Sequence, residues 1–278
     1  MSNLPLKILG SLLSAVPNFK GKDFLTKKFI RPFVQNKDVE LVINLSNDCR
    51  LICNLKDWIP WNIFVHGSYI AEANYQKFML QKALNCSTIF DIGANIGYYT
   101  VQFSKATTGD IHAFEPMDYQ YSVLIRNLLL NNISNVIPVK QIASDNNELI
   151  RIYQNLTGNT GTSSIYNETE RYEDIQSISL DAYCIKLKIT EVDLVKIDVE
   201  DHESSVLKGM QKLLSQKKVK NLFVEICNEH LNKAGTSTAE ILKFLDSYGY
   251  NSYSIKTGQK ETYKESNGDE SLVYFTAS

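Results

Sequence analysis

Four short apolar runs in this 278-residue chain each end in a carboxylate: Ile89-Phe90 before Asp91, Ile111-His112-Ala113-Phe114 before Glu115, Leu194-Val195-Lys196-Ile197 before Asp198, and Leu222-Phe223-Val224 before Glu225. Strands buried on both faces read as continuous apolar runs, and an open α/β sheet binds ligands outside the carboxyl ends of its strands. Acids in these places are therefore expected to face one crevice.

The first run continues Asp91-Ile92-Gly93-Ala94-Asn95-Ile96-Gly97. A dinucleotide fold spaces its glycines Gly-x-Gly-x-x-Gly and lays a pyrophosphate on the helix N-terminus. Here the glycines are four apart, and Asp91 would repel a pyrophosphate. A ligand carrying an ammonium and a sulfonium suits that carboxylate better, which points to S-adenosylmethionine. The alternative is a plain turn, with Asp91 capping the next helix. Glu115 has two acceptor oxygens for the two hydroxyls of a ribose, and so fits any adenosine ligand. A third strand ends at Ala143-Ser144-Asp145, where Asp145 either accepts from an adenine amino group or serves turn chemistry with Asn146-Asn147.

The densest polar cluster is Asp198-Val199-Glu200-Asp201-His202-Glu203. Asp198 and Glu200, two apart, both face the crevice if the backbone stays extended. His202 titrates nearest neutrality, so Asp198, Glu200 and His202 are the candidate bases. Glu203 suits the N-terminus of a helix over 204–214. Glu225 is a candidate for binding acceptor hydroxyls. A divalent metal on Asp198 and Glu200 is conceivable, but no complete ligand set is spaced for one.

The elements that must position these groups fill the rest of the chain. With 44% hydrophobic and 22% charged residues, it reads as an ordinary globular α/β protein, and a net charge of −2 leaves no electrostatic footprint for nucleic acid. Its five scattered cysteines (Cys49, Cys53, Cys86, Cys184 and Cys227) read as reduced core thiols, and a cytoplasmic setting is expected.

Residues 1–84 form an N-terminal extension. An apolar segment puts Leu6, Leu9, Leu13 and Val16 on one helical face and is followed by lysines. It either packs on the catalytic domain, the favoured reading, or lies on a membrane or a partner such as a glycosyltransferase. It is too short to span a bilayer. A β-hairpin over 39–55, an aromatic loop region over 57–69 and a helix over 71–84 complete this possible lid. His66 has no spaced partner and is expected in packing or at the surface.

The catalytic domain is expected over 85–278. It has a strand over 136–142 and a β-hairpin insertion at 148–182. The insertion's Gly158 to Ser164 loop is rich in glycine and hydroxyls, and Ser163 is a candidate acceptor contact. Asp181 reads as an N-cap. A terminal hairpin supplies a last, antiparallel strand.

Taken together, Phe90 to Gly97, Phe114-Glu115-Pro116, Ala143-Ser144-Asp145, Gly161-Thr162-Ser163-Ser164, Ser179-Leu180-Asp181 and Lys196 to Glu203 resemble the FkbM family of S-adenosylmethionine-dependent methyltransferases. The resemblance implies a doubly wound, Rossmann-like class I methyltransferase sheet of seven strands. It also implies O-methylation of a hydroxyl on a sugar, glycan or related metabolite. On it, Asp91 and Gly93 hold the methionine end, Glu115 the ribose and Asp145 the adenine side, with Asn95, Gly97, Ser144 and Asp198 among the cofactor contacts. The chain departs from the family in having Asp201 in place of glycine, and Tyr69-Ile70 in place of a Tyr-Glu pair. Two rival readings are an NAD-dependent sugar-modifying enzyme, opposed by Asp91 and the glycine spacing, and a non-catalytic partner-binding module.

Overall fold

The computed structural model describes residues 4–45, 48–154, 163–166, 168–255, 259–260, 263 and 271–277, without the side chains of 71, 228–230 and 271. Helix α1 (Leu4–Ala15) leads into α2 (Lys22–Phe29), and strands β1 (Glu40–Asn44) and β2 (Arg50–Asn54) form the expected hairpin. Leu6, Leu9 and Leu13 of α1 pack against a small core of Val34, Leu41, Leu55, Trp61, Phe64 and Val65. Val16 does not join them and is exposed, because α1 ends at Ala15.

The stretch read as an aromatic loop is mostly helix, α3 (Trp58–His66). Pro60 falls in the first turn, where no N–H has an intrahelical acceptor, so it does not oppose the helix. Gly67, left-handed at φ 76°, ends it. His66 has partners that its spacing concealed: Asn18 at 2.7 Å and Asp23 at 2.8 Å. Then α4 (Ala73–Ala83) buries Gln76, Met79 and Ala83.

The remaining chain builds the main sheet from β3 (Thr88–Ile92), β4 (Asp110–Phe114), β5 (Val136–Val139), β9 (Val192–Ile197), β10 (Val219–Ile226), β11 (Tyr250–Tyr253) and β12 (Ser271–Ala277). A smaller sheet contains β6 (Ile142–Ala143), β7 (Leu149–Tyr153) and β8 (Tyr172–Ile178). The main order is β11-β12-β10-β9-β3-β4-β5, and β12 runs antiparallel to both neighbours. This is the seven-stranded, doubly wound α/β arrangement expected, and its order reverses between β3 and β9, where ligands bind such sheets.

Helices α5 (Tyr98–Ala106), α6 (Asp118–Leu130), α7 (Leu180–Leu187), α8 (Glu203–Lys208), α9 (Gln211–Ser215), α10 (Asn228–Lys233) and α11 (Thr238–Ser247) complete the described chain. Strand alternation divides the core. Phe90, Ile92, Val195 and Ile197 join Leu207, Met210 and Leu245 in one cluster, while Ile89, Leu194 and Phe223 join Met79, Val101 and Leu124 in the other. All five cysteines are free and buried.

Three local expectations change. The strand over 136–142 is two strands: β5 stays in the main sheet, and β6 leaves it to pair with β8. The helix over 204–214 is broken into α8 and α9 at Gly209-Met210, and Gly209 lies so close to the Ser144 backbone that a methyl group there would overlap the Ser144 carbonyl oxygen. Asp181 does not cap α7, whose N-cap is Ser179. It accepts instead from the Lys212 N–H at 2.8 Å and the Leu213 N–H at 3.1 Å, at the start of α9. The hairpin insertion forms as β7 and β8, while the loop residues Gly158 to Thr162 lie outside the described residues.

Candidate active site

A cavity of about 1070 Å³, counted out to its open mouth, lies over the carboxyl ends of β3, β4 and β9. Its wall includes Gly93, Asn95, Glu115, Asp198, Glu200 and His202 from the predicted set, and Ser163 from the insertion.

Gly93 on the wall and Gly97 behind it take φ of 80° and 89°, the left-handed region that glycine enters freely. A methyl group on Gly93 would overlap the Asp198 carbonyl oxygen, so the β3 and β9 loops approach backbone to backbone. Glu115 is 6% exposed. Its Oε2 accepts from the Asn95 N–H at 2.8 Å and its Oε1 from the Met117 N–H at 2.9 Å. Each oxygen is thus oriented by one donor and retains a further lone pair. Burial pushes the Glu115 carboxyl up to about 7, against those two hydrogen bonds.

Next to this approach of the two loops, carboxylates surround one lysine. Lys196 is 1% exposed, and its Nζ donates to Asp198 Oδ2 at 2.7 Å and lies 4.0 Å from Asp91 Oδ1. It also sits 4.9 Å from the centroid of the Tyr99 ring. Burial opposes its charge, but Asp198, Asp91 and Glu72 together outweigh that and hold it protonated. Glu72, Asp198 and Glu225 bring one carboxylate oxygen each within 4.8 Å of one another. Tyr99 Oη donates to Glu72, and the Glu225 carboxyl is pushed well up by burial and by Asp198. This trio differs from the Asp198 and Glu200 pair considered for a divalent ion, and Lys196 already supplies positive charge to it.

Asp91 itself is fully buried behind the wall. Its Oδ2 accepts from Thr100 Oγ1 at 2.6 Å, its Oδ1 has no hydrogen-bond donor, and burial raises its carboxyl. Its immediate partners are Thr100 and Lys196, so it bears on the cavity through them.

After Asp198 the backbone does not stay extended. Glu200 and Asp201 are left-handed at φ 49° and 80°, which turns the chain into α8 and still leaves Glu200 on the wall. Asp201 thus takes a conformation that glycine would enter freely, with its Oδ2 accepting from Ser164 Oγ at 3.0 Å. His202 is 7% exposed, shares a hydrogen bond with Ser144 Oγ through Nε2 at 3.0 Å, and has no hydrogen-bond partner at Nδ1. Burial lowers its imidazole to about 4, so it is neutral at physiological pH.

Besides Asp91, three predicted cofactor contacts stand off the wall: Gly97, Ser144 and Asp145. Ser144 is buried behind it and orients His202. Asp145 is exposed outside it, bonded to Ser144 Oγ at 3.2 Å. The chain turns between β5 and β6, so Gln141, Ile142 and Ala143 line the cavity in their place. Glu225 joins the carboxylate trio but not the wall.

Sequence reasoning missed Glu72, Tyr99, Lys196 and Gln141. Lys196 alone left a signal, as a charge inside an apolar strand. Glu72 supplies from the N-terminal extension the acid that the Tyr69-Ile70 departure had removed, two positions further along the chain.

The family model for the methyltransferase FkbM domain matches residues 91–252. A hexuronic acid methyltransferase, AglP, from Haloferax volcanii is 29% identical over 174 residues, 63% of this chain and 67% of that protein. Methyltransferase 1 from Beauveria bassiana is 28% identical over 190 residues, 59% of this chain and 72% of that protein. Among solved structures, a Pyrococcus abyssi tRNA (uracil-54, C5)-methyltransferase with S-adenosyl-L-homocysteine aligns with a TM-score of 0.46 at 11% identity, over 86% of this chain and 45% of that one.

Proposed function

This chain belongs to the FkbM methyltransferase family, and from that premise we propose that it transfers a methyl group from S-adenosylmethionine to a hydroxyl of a sugar, glycan or related polyhydroxylated metabolite. The observation that carries the reading is one cavity that brings two chemistries together. Its glycine turn and the oriented Glu115 carboxylate, with spare lone pairs, suit an adenosine ligand. Its clustered carboxylates beside Lys196 suit a polyol. The similarity to a hexuronic acid methyltransferase supports a sugar acceptor.

The residues fit the cofactor. Gly93 and Asn95 line the cavity beside Glu115, whose two oxygens are each held by one backbone N–H and keep a lone pair for a ribose hydroxyl. S-adenosylmethionine supplies an electrophilic methyl on a sulfonium. The protein's own work is to orient the acceptor in a water-poor cavity and remove its proton. Asp198 and Glu200 are the wall carboxylates assigned to the acceptor's hydroxyls, with Asp198 taking the proton. Lys196 and Glu225 fix Asp198 in place. His202, neutral and with Nδ1 free of other hydrogen bonds, binds a second hydroxyl rather than acting as the base. A cytoplasmic setting belongs to the same reading. Among the described residues, no helix is long and apolar enough to cross a membrane.

Calorimetric titration with S-adenosylhomocysteine and with NADH, on the parent chain and Glu115→Gln, tests the cofactor. About micromolar binding of the former, weakened in the variant, is the expected result. Binding of NADH alone sustains the redox alternative, and no binding of either sustains the partner-binding module. Transfer of a labelled methyl group to neutral sugars and hexuronic acids then tests the acceptor class. Cofactor binding without transfer to any of them overturns that part.

A further inference from the structure

Half of the large hydrophobic side chains exposed among the described residues lie within the first 33 positions. On α1, Leu4, Ile8 and Leu12 recur every fourth residue and form one outward stripe, 59%, 54% and 61% exposed, while Leu6, Leu9 and Leu13 face the protein. On α2, Phe24 and Phe29 are 63% and 59% exposed, and Phe33 follows at 69%.

This exposure is built in. The Lys22 ammonium donates to the last carbonyls of α1, Leu13 O at 2.7 Å and Val16 O at 2.8 Å. Thr26 is buried on the same side of α2, and Asp23 is held by His66. Those pins fix the roll of α2 and leave its phenylalanines outward. Large apolar side chains exposed in this number over two adjoining helices mark an interaction site.

Charge identifies what it fits. Residues 1–37 carry seven basic side chains and one acidic, a net +6, so residues 38–278 carry a net −8 within a total of −2. The Lys28 ammonium sits 5.5 Å from the ring centroids of both Phe24 and Phe29, placing cation and aromatic groups at one surface. Aromatic and aliphatic groups interleaved with lysines match a bilayer interface, where rings enter the acyl boundary and ammonium groups meet anionic headgroups. A second copy is disfavoured, because its own patch would bring the same positive charge. We propose that α1 and α2 are a docking surface for anionic lipid, which holds the protein on a membrane without spanning it.

Co-sedimentation of the full chain with vesicles of phosphatidylcholine, or of phosphatidylcholine and phosphatidylglycerol in equal parts, tests this. The expected result is about tenfold greater binding to the anionic vesicles, reduced by added salt and lost in Phe24→Glu/Phe29→Glu. Far-UV circular dichroism checks that this variant folds, and Lys20→Glu/Lys28→Glu, which leaves the apolar surface intact, is the second variant and is expected to lose the preference for anionic vesicles. No vesicle binding, binding indifferent to both variants, or a dimer in light scattering that the same substitutions dissociate would overturn the proposal. The last result assigns the patch to a second copy.

Discussion

Asp91 and Lys196 are register partners on neighbouring parallel strands, β3 and β9, so their side chains share one face of the sheet, with Oδ1 and Nζ 4.0 Å apart. The lysine thereby joins an acid that is sealed from the cavity to Asp198, which lines it. A buried charge left without its partner is costly, commonly about 3–5 kcal/mol. Lys196→Met is therefore expected to destabilise the fold by about that amount. Adding Asp91→Asn recovers at least about 1 kcal/mol of it, because the residues are coupled. Urea unfolding of the two single variants and the double gives the coupling directly, and strict additivity would show that Asp91 and Lys196 act independently.

Gly93 and the Asp198 carbonyl meet where the two strand ends converge. Gly93→Ala adds a methyl group into that carbonyl at a left-handed φ, costing about 1–2 kcal/mol for the backbone alone and more for the overlap. Loss of S-adenosylhomocysteine binding, together with a lower unfolding midpoint, is expected. Unchanged affinity would separate this approach from the ligand site.

Glu115, pushed up to about 7 by burial, is largely protonated below that pH and ionised above it. The ionised carboxylate is the better acceptor for hydroxyls, so S-adenosylhomocysteine affinity is expected to rise from about pH 6 towards about pH 8 and then level off. Glu115→Gln should flatten that profile and cost about 1–3 kcal/mol of binding. An equally steep profile in the variant would assign the titration elsewhere.

Asp201 is left-handed at φ 80°, a conformation that costs a side-chain-bearing residue about 1–2 kcal/mol relative to glycine. Asp201→Gly and Asp201→Ala both lose the Ser164 hydrogen bond, so their difference isolates the backbone. The glycine variant is expected to be more stable than the alanine variant by about 1–2 kcal/mol in urea unfolding, and equal stabilities would show that no strain is held there.

What the sequence disclosed follows from locality. The strand ends at Asp91, Glu115, Asp198 and Glu225 were legible because a buried strand declares itself by apolar continuity, and the acid that ends it is one residue away. Glu72 was not, because a short 3-10 turn ahead of α4 brings it to the site from the extension. The Asp91 and Lys196 pairing needs the register of β3 against β9, which no local pattern encodes. Trp58 to His66 misled through Pro60 and its aromatics, since a proline in a first turn is compatible with a helix. Asp145 illustrates the converse: its place after an apolar run suggests an adenine contact, but β6 leaves the main sheet before it and carries it off the wall.

Helix α3 receives the packing of Leu6, Leu9 and Leu13 from α1, and its own Ile59 belongs to the cavity wall. One helix therefore touches both the outer helix and the cavity wall. Were the seating of α1 to move α3, ligand affinity would change with it, and by thermodynamic reciprocity a filled cavity would alter the grip of α1 by the same factor. The link between the lipid-facing helix and the cavity is thus a single helix long.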